Sequence, residues 1–240
     1  MQTARNLKTY RKEVAKALDN QFQRQAMDKF AVAYRTSRAN AFAGMDPDGL
    51  VADIARLKDH ALARLDELYA RFKENAEKNG VQVHLALTAE EANAVIARIA
   101  EDNRVRRIVK SKSMTAEETL LNHYLEARGL EVIETDLGEW IIQLRGEGPS
   151  HMVMPAIHLS RFQVAELFSD VTGKAQEAEI ERLVKVARRE LRRKYVEADM
   201  GISGANFALA DTGTIGLTTN EGNARLVTTL PRVHVALVGI

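Results

Sequence analysis

The strongest constraint on the fold is an alternation of strand and helix signals that begins near residue 80. Apolar residues predict short strands at 107–110 and 130–135, and Thr-x-x-Glu boxes open helical segments at 88–101 and 115–129. Further strands are predicted at 81–87, 151–154, 215–218 and 233–240, with helices at 161–168 and 175–198. Such alternation predicts an α/β fold, with a mostly parallel sheet flanked by helices.

The segment before residue 80 has a different pattern. Apolar residues recur at helical spacing and predict two long amphipathic helices, separated at 44–49, where Asp46 suits an N-cap and Pro47 the first helical position. We therefore expect a helical N-terminal arm at 1–79 and an α/β domain at 80–240. Because the apolar strand at 233–240 resembles a buried central strand, we expect this domain to be cut short at its C-terminal end.

Composition restricts the chemistry. The chain has no cysteine, so its own residues supply no thiolate for a nucleophile, zinc site or iron–sulfur cluster. The 34 Lys and Arg residues are balanced by 33 Asp and Glu residues, which gives no global field for nucleic acid. The histidines show no metal-ligand spacing, and the charged N-terminus and short apolar runs predict a cytoplasmic protein without a membrane span.

Two loop regions are candidate ligand sites. The first follows a predicted strand and precedes a helix, where hydroxyls, ammonium groups and free amides can bind an anion: Lys110, Ser111, Lys112 and Ser113. The second is rich in Gly, Thr and Asn: Thr212, Gly213, Thr214, Thr219, Asn220, Gly222 and Asn223. An ordinary solvated turn and two tight hairpin turns are the structural alternatives.

Carboxylates near these loops are candidates for acid–base catalysis. Glu134, Asp136 and Glu139 surround one strand end, and Asp211 and Glu221 lie in the later loops. Because surface carboxylates are common, a solvated role remains the alternative. His158, at the end of a predicted strand, is the one histidine retained as a candidate.

Three stretches together resemble the lactate utilization (LUD) domain family. They are KSKSM at 110–114, the region from ETDLGE at 134–139 through PSH at 149–151 to MPAIH at 154–158, and GANF at 204–207 with DTGT at 211–214 and TNEGN at 219–223. The resemblance covers nearly the whole chain. It departs in one place, since many members carry Glu where this chain has Asp211.

The resemblance implies a fold similar to the sugar-phosphate isomerase and CoA-transferase (NagB/RpiA-like) class. It also implies an electron-transfer subunit that acts with other subunits in oxidising L-lactate to pyruvate. Members of this type continue into a cysteine-bearing segment that binds [4Fe–4S] clusters, which this sequence lacks. We therefore expect the chain to bind no cofactor itself, to hold partner subunits, and not to be catalytic alone. Because lactate and pyruvate are anions, we expect Lys110, Lys112 and the neighbouring hydroxyls to contact a small carboxylate.

Two other functions remain open. One is a free-standing isomerase- or CoA-transferase-like enzyme acting on a small anionic metabolite, for which the candidate catalytic carboxylates are Glu134, Asp136, Asp211 and Glu221. The other is an interaction module built on the N-terminal helices.

Overall fold

The computed structural model describes residues 7–219 and 221–240. The helices are α1 (Leu7–Asp19), α2 (Gln21–Ala41), α3 (Pro47–Leu62), α4 (Leu65–Lys78), α5 (Ala89–Asp102), α6 (Met114–Glu118), α7 (Leu121–Glu126), α8 (Leu137–Arg145), α9 (Arg161–Thr172), α10 (Ile180–Glu197) and α11 (Asn223–Thr229). The strands are β1 (Arg107–Lys110), β2 (Glu131–Glu134), β3 (Met200–Ser203), β4 (Phe207–Leu209), β5 (Thr214–Gly216) and β6 (Val233–Ala236). Among the described residues, these elements divide into two units, one containing 7–15, 84–206, 217–219 and 221–240, the other containing 16–83 and 207–216.

The first unit is built on a parallel sheet in the order β2-β1-β3-β6. Successive side chains of a strand point to opposite faces, so Val109 and Ile133 join a core with α8, α9 and α10. Their neighbours Ile108 and Val132 join a second core with α5 and α7. Helices therefore cover both faces of the sheet, which confirms the predicted α/β class.

The second unit contains α2, α3, α4 and the antiparallel hairpin β4–β5. The Asn75 amide donates to the carbonyl oxygen of Ala210 at 2.9 Å, and the Asn79 amide donates to that of Thr212 at 3.0 Å. Gly213, at the hairpin turn, has a φ of +66°, and a Cβ there would overlap the α4 backbone at Ala76. The hairpin is thus held against α4 by hydrogen bonds and close packing.

Several predicted caps are confirmed. The Asp46 carboxylate accepts from the Gly49 amide at 3.1 Å, with Pro47 in the first turn of α3. Thr88 caps α5 by accepting from the amide of Glu91, and Ser160 forms a full capping box at the start of α9. Each cap satisfies amides that have no partner within their own helix.

Three predictions about local structure were wrong. The N-terminal segment forms four helices in its described residues, because Asn20 caps a new helix and a further break precedes Leu65. Residues 81–87 form no strand, since alternation alone supplies no partner for the backbone hydrogen bonds. Residues 151–154 form none either, because the amides of Val153 and Met154 both donate to His151 Nδ1.

The second capping box and the final strand also differ from their predictions. Ser113, rather than Thr115, caps α6, and the left-handed conformation of Leu120 separates α6 from α7. The last strand comprises only Val233–Ala236, pairs with β3 and lies last in the described sheet order, with partly exposed side chains. Among the described residues, no helix is both long and apolar enough to cross a membrane.

Candidate functional site

The carboxyl ends of β1 and β2 bring two opposite charges together. The strands pair in parallel register, so Lys110 lies beside Glu134 across 24 residues of sequence. The Lys110 ammonium is 2.9 Å from Glu134 Oε1, and the side chains are 0% and 4% exposed. A buried charge needs a partner close by, and each of these residues provides it for the other.

Two glutamates and a second lysine complete the charged cluster. Glu117, from α6, places Oε1 at 3.4 Å from the Lys110 ammonium. Lys112 pairs with Glu139 of α8 at 2.7 Å, and Glu139 is itself buried. Two lysines therefore face three glutamates, so the cluster holds one more acidic than basic side chain.

Burial and neighbouring charges act differently on the pKa values of Lys110 and Glu134. Burial opposes the charge on Lys110, but Glu134, Glu117 and Glu139 together outweigh it and raise the pKa of the ammonium. Burial raises the pKa of Glu134, and the ion pair with Lys110 offsets this only in part. Lys110 therefore stays protonated, and Glu134 is held where a buried carboxyl can take up a proton.

Beside this cluster lies a cleft of about 190 Å³. Among the described residues that line it, five are glutamates and none is a lysine or arginine: Glu117, Glu126, Glu134, Glu139 and Glu147. Asn122 Nδ2 donates to Glu134 Oε1 at 2.6 Å. Glu134 Oε2 and Asn122 Oδ1 are buried and have no hydrogen-bond partner among the described residues. The cleft therefore favours hydrogen-bond donors and repels anions.

The loop before α11 joins the end of β2. Asn223 Nδ2 donates to the Thr135 hydroxyl at 3.3 Å, and that hydroxyl donates to the carbonyl oxygen of Lys110 at 2.8 Å. The Glu221 carboxylate accepts from the Leu137 amide at 3.1 Å. Partial burial, together with the nearby charge of Asp136, raises the pKa of Glu221. The structure thus brings this loop to the first candidate loop, although 84 residues of sequence separate Leu137 from Glu221.

Several polar side chains of the candidate loops are buried or make local bonds. Ser113 caps α6, Ser111 is buried, and Asp136 caps α8 by accepting from the Glu139 amide at 3.2 Å. The Thr219 hydroxyl accepts from the amide of Gly222 at 3.1 Å. Asn220, also predicted as a ligand contact, lies outside the described residues.

The second candidate loop is divided between the two units. Asp211, Thr212, Gly213 and Thr214 form the turn of the β4–β5 hairpin, within the second unit. Asp211 pairs there with Arg71 of α4 at 3.0 Å, and the hydroxyls of Thr212 and Thr214 bond to each other. The cluster in the first unit is built without them.

His158 lies in the loop between α8 and α9. Its Nδ1 is 2.7 Å from the Ser150 hydroxyl, and its Nε2 is 3.0 Å from Glu147 Oε2. Glu147 also lines the acidic cleft.

Sequence reasoning selected His158 but missed Glu117, Asn122 and Glu147. Glu117 had a detectable signal, because it occupies the first turn of a helix that follows directly on the β1 loop.

Comparison with known proteins identifies related chains. The family model described as LUD domain matches residues 69–240. "Lactate utilization protein B" of Bacillus subtilis (strain 168) is 40% identical over 96% of this chain and 49% of its own length. The protein of the same name from Oceanobacillus iheyensis is 40% identical over 97% of this chain and 49% of its own length.

A third relative carries a different name. "Uncharacterized electron transport protein YkgF" of Escherichia coli (strain K12) is 42% identical over 78% of this chain and 39% of its own length. The chain thus spans about half the length, or less, of these curated relatives. No solved structure matches it. The family model covers well over half of the sequence, and the chain belongs to the LUD domain family.

Proposed function

We propose that this chain is the LUD-domain portion of an iron–sulfur electron-transfer protein that takes part in the oxidation of L-lactate to pyruvate. The observation that carries the proposal is about 40% identity along nearly the whole chain to proteins named for lactate utilization. The electron-transport name of a further relative supports the redox role. The proposed setting is a cytoplasmic assembly with other subunits.

The proposal assigns cluster binding to a segment outside this sequence. A [4Fe–4S] cluster is held by cysteine thiolates, and this chain has no cysteine, so its residues do not fit that cofactor. In the proposal, the α/β domain of 80–240 is the scaffold. A four-stranded parallel sheet covered by helices is consistent with a NagB/RpiA-like fold, which we include in the proposal.

The ion pairs of Lys110 and Lys112 limit where a small carboxylate ligand can bind. Lys110 is fully buried and already shared by two glutamates. Lys112 is 25% exposed, but a lactate or pyruvate carboxylate has to compete with Glu139 for it. Because five glutamates line the adjacent cleft, an anion is expected to approach Lys112 from outside that cleft.

The direct test is chemical analysis of the whole product of this reading frame. After anaerobic purification, iron, acid-labile sulfide and the visible spectrum are measured, and L-lactate is added with the partner subunits present. Iron–sulfur absorbance that bleaches on lactate addition supports the proposal. A colourless, iron-free product that never responds to lactate contradicts it.

The role of the loop has a separate test. Lys112→Met is compared with Lys194→Met, which removes another partly exposed lysine that pairs with a glutamate at 2.7 Å. We expect pyruvate binding, measured by calorimetry, to weaken in Lys112→Met alone. Equal binding in both variants assigns Lys112 a purely structural role.

A second candidate function rests on Glu134. Glu134 lines the cleft, and its carboxyl is buried, has a raised pKa and keeps one oxygen without a hydrogen-bond partner among the described residues, which are properties of a general acid or base. This arrangement supports an isomerase- or CoA-transferase-like enzyme. Turnover of small metabolites by this chain alone, abolished in Glu134→Gln, favours that function over the scaffold role, whereas absence of turnover favours the scaffold.

A further inference from the structure

In the loop between α8 and α9, hydrogen bonds link a hydroxyl, an imidazole and a carboxylate, which are the groups of a nucleophile, a base and the residue that orients the base. The Ser150 hydroxyl is 2.7 Å from His158 Nδ1, and His158 Nε2 is 3.0 Å from the Glu147 carboxylate. Ser150 is exposed, whereas the His158 side chain is only 16% exposed. A nucleophile bonded to a base that is itself oriented by a third group is the arrangement by which catalytic triads are recognised.

The hydrogen bonds around His158 select one tautomer. Arg145 donates twice to Glu147 Oε1, at 2.9 and 2.7 Å, which leaves Oε2 for the imidazole. The Arg145 bonds, more than the weaker bond to His158, lower the pKa of Glu147 against the opposing effect of its partial burial. An ionised Glu147 can only accept hydrogen bonds, so His158 Nε2 carries the proton and donates to Oε2, and the lone pair of Nδ1 then faces the serine hydroxyl.

Ser150 also bonds within its own loop, which is the purely structural alternative. Its amide donates to the carbonyl oxygen of Pro155 at 3.1 Å, and its hydroxyl lies 3.0 Å from the same oxygen. The carbonyl oxygen has two lone pairs, so it accepts from both the amide and the hydroxyl, and the single hydroxyl proton is shared between Pro155 and His158. Rotation of the hydroxyl hydrogen about the Cβ–Oγ bond presents it to His158 Nδ1. The loop is held by its backbone, and the hydroxyl is presented at an exposed position.

We propose that Ser150, His158 and Glu147 form a second site in this chain, a triad that hydrolyses small esters or thioesters. The acidic cleft lies next to it, since Glu147, Gly148 and Pro149 all line the cleft and Ser150 follows directly. A volume of about 190 Å³ limits the acyl group to a small one. The five lining glutamates favour an uncharged or cationic acyl group and repel an anionic one.

The chemistry requires no reactant beyond the ester or thioester and water. Ser150 Oγ attacks the acyl carbon, and its proton passes to His158 Nδ1. The C–O or C–S bond then breaks, and the leaving alcohol or thiol takes that proton, which gives an acyl-serine. Water attacks this ester with Nδ1 as base, the proton returns to Oγ, and a carboxylic acid is released. Glu147 stabilises the imidazolium in both steps.

The first test uses the 240-residue protein with a fluorophosphonate probe and p-nitrophenyl acetate. We expect the probe to label Ser150, as located by peptide mapping, and ester hydrolysis to fall about 100-fold in Ser150→Ala and in His158→Gln. Ser37→Ala, which removes a hydroxyl from an exposed helical position, is the matched control and leaves the rate unchanged. Equal hydrolysis in wild type and Ser150→Ala, or labelling elsewhere, overturns the proposal.

A second test separates chemistry from loop structure. The chain has no cysteine, so Ser150→Cys introduces a unique thiol. A thiol beside a histidine base ionises more readily, so we expect iodoacetamide to alkylate it at least about tenfold faster than the thiol of Ser37→Cys. Adding His158→Gln to Ser150→Cys removes that difference. Equal alkylation rates in Ser150→Cys and Ser37→Cys, with both proteins folded by circular dichroism, contradict base activation by His158. Neither test depends on the lactate-utilization role.

Discussion

The buried pair Lys110–Glu134 makes the sharpest stability prediction. Lys110→Met removes a fully buried ammonium and leaves Glu134, 4% exposed, without its main counter-charge. Glu117 and Glu139 lie close by and add to the unbalanced negative charge. Removing one partner of a buried pair costs about 3–5 kcal/mol, because the other charge stays buried and unpaired. We expect a loss of that size in the free energy of unfolding near neutral pH.

The loss of unfolding free energy in Lys110→Met should increase as the pH rises. Without Lys110, the pKa of Glu134 rises further above its value in the unfolded chain, where the carboxyl is hydrated. A carboxyl whose pKa is raised on folding favours the folded state at low pH and opposes it as pH rises toward the folded-state pKa. Between the folded-state pKa of Glu134 in the wild type and its higher folded-state pKa in the variant, the difference from wild type grows by about 1.4 kcal/mol per pH unit. The variant is therefore closest to wild type near pH ~5 and furthest from it near pH ~8.

Urea unfolding followed by fluorescence measures this directly. Trp140 is the one tryptophan of the chain, and it packs against Phe168 in the core of the first unit. Lys110→Met with Glu134→Gln removes both charges but keeps an oxygen for Asn122, so it should recover more than half of the loss. Lys194→Met, at a partly exposed pair, should cost less than about 1 kcal/mol. A small loss in Lys110→Met, or one that is the same at both pH values, would falsify the account of a buried, unbalanced charge.

Three other substitutions test separate parts of the fold by the same assay. Asp199 accepts from the amides of Arg106 and Arg107, just before and at the start of β1, at 2.8 and 3.0 Å. Against the opposing effect of burial, these bonds and the charges of Arg107 and Arg232 lower the pKa of Asp199, so Asp199→Asn should cost about 1–2 kcal/mol above the unfolded-state pKa, with the difference vanishing as pH falls through the lowered folded pKa. Gly201→Ala places a Cβ onto the Val227 carbonyl and should lower the free energy of unfolding by about 3 kcal/mol. Gly129→Ala, where the space around the new Cβ is open, should lower it by about 1 kcal/mol. Equal losses in the two variants would contradict the packing argument. Ser160→Ala removes the α9 capping box and should cost about 1 kcal/mol; no change would show that water replaces the cap.

Features that depend on local chemistry were predictable from the sequence. The strands β1 and β2, the caps at Asp46, Thr88 and Ser160, and the hairpin turn at 211–214 all follow from residue types within a few positions. The wrong predictions fail for a common reason. Residues 81–87 alternate like a strand but have no paired strand, and no local pattern reveals whether one is available.

The candidate site was predictable only in part. The sequence identified Lys110, Glu134 and Glu139 because they lie at or after the ends of predicted strands. It did not predict which of these charges pair with each other. A lysine in a sequence looks the same whether its ammonium is hydrated or fully buried, and Glu117 and Asn122 gave no sign that they converge on Glu134. The sequence also could not predict that the 211–214 turn belongs to the second unit. The hairpin is held there by hydrogen bonds to α4 residues more than 130 positions away in the chain.

The sequence by itself determined the α/β class, the order of the strands and helices that surround β1 and β2, and the polar residues at their carboxyl ends. The tertiary structure decided which of those charges are neutralised, which oxygens remain unpaired and which loops meet. The physical reason is the separation in sequence over which each kind of interaction acts. Caps and periodicity act over one helical turn or a few strand residues, whereas burial and ion pairing depend on strands and helices distant in the chain. Parallel register placed Lys110 beside Glu134 and made a shared, buried charge cluster of residues that would otherwise be ordinary surface ions.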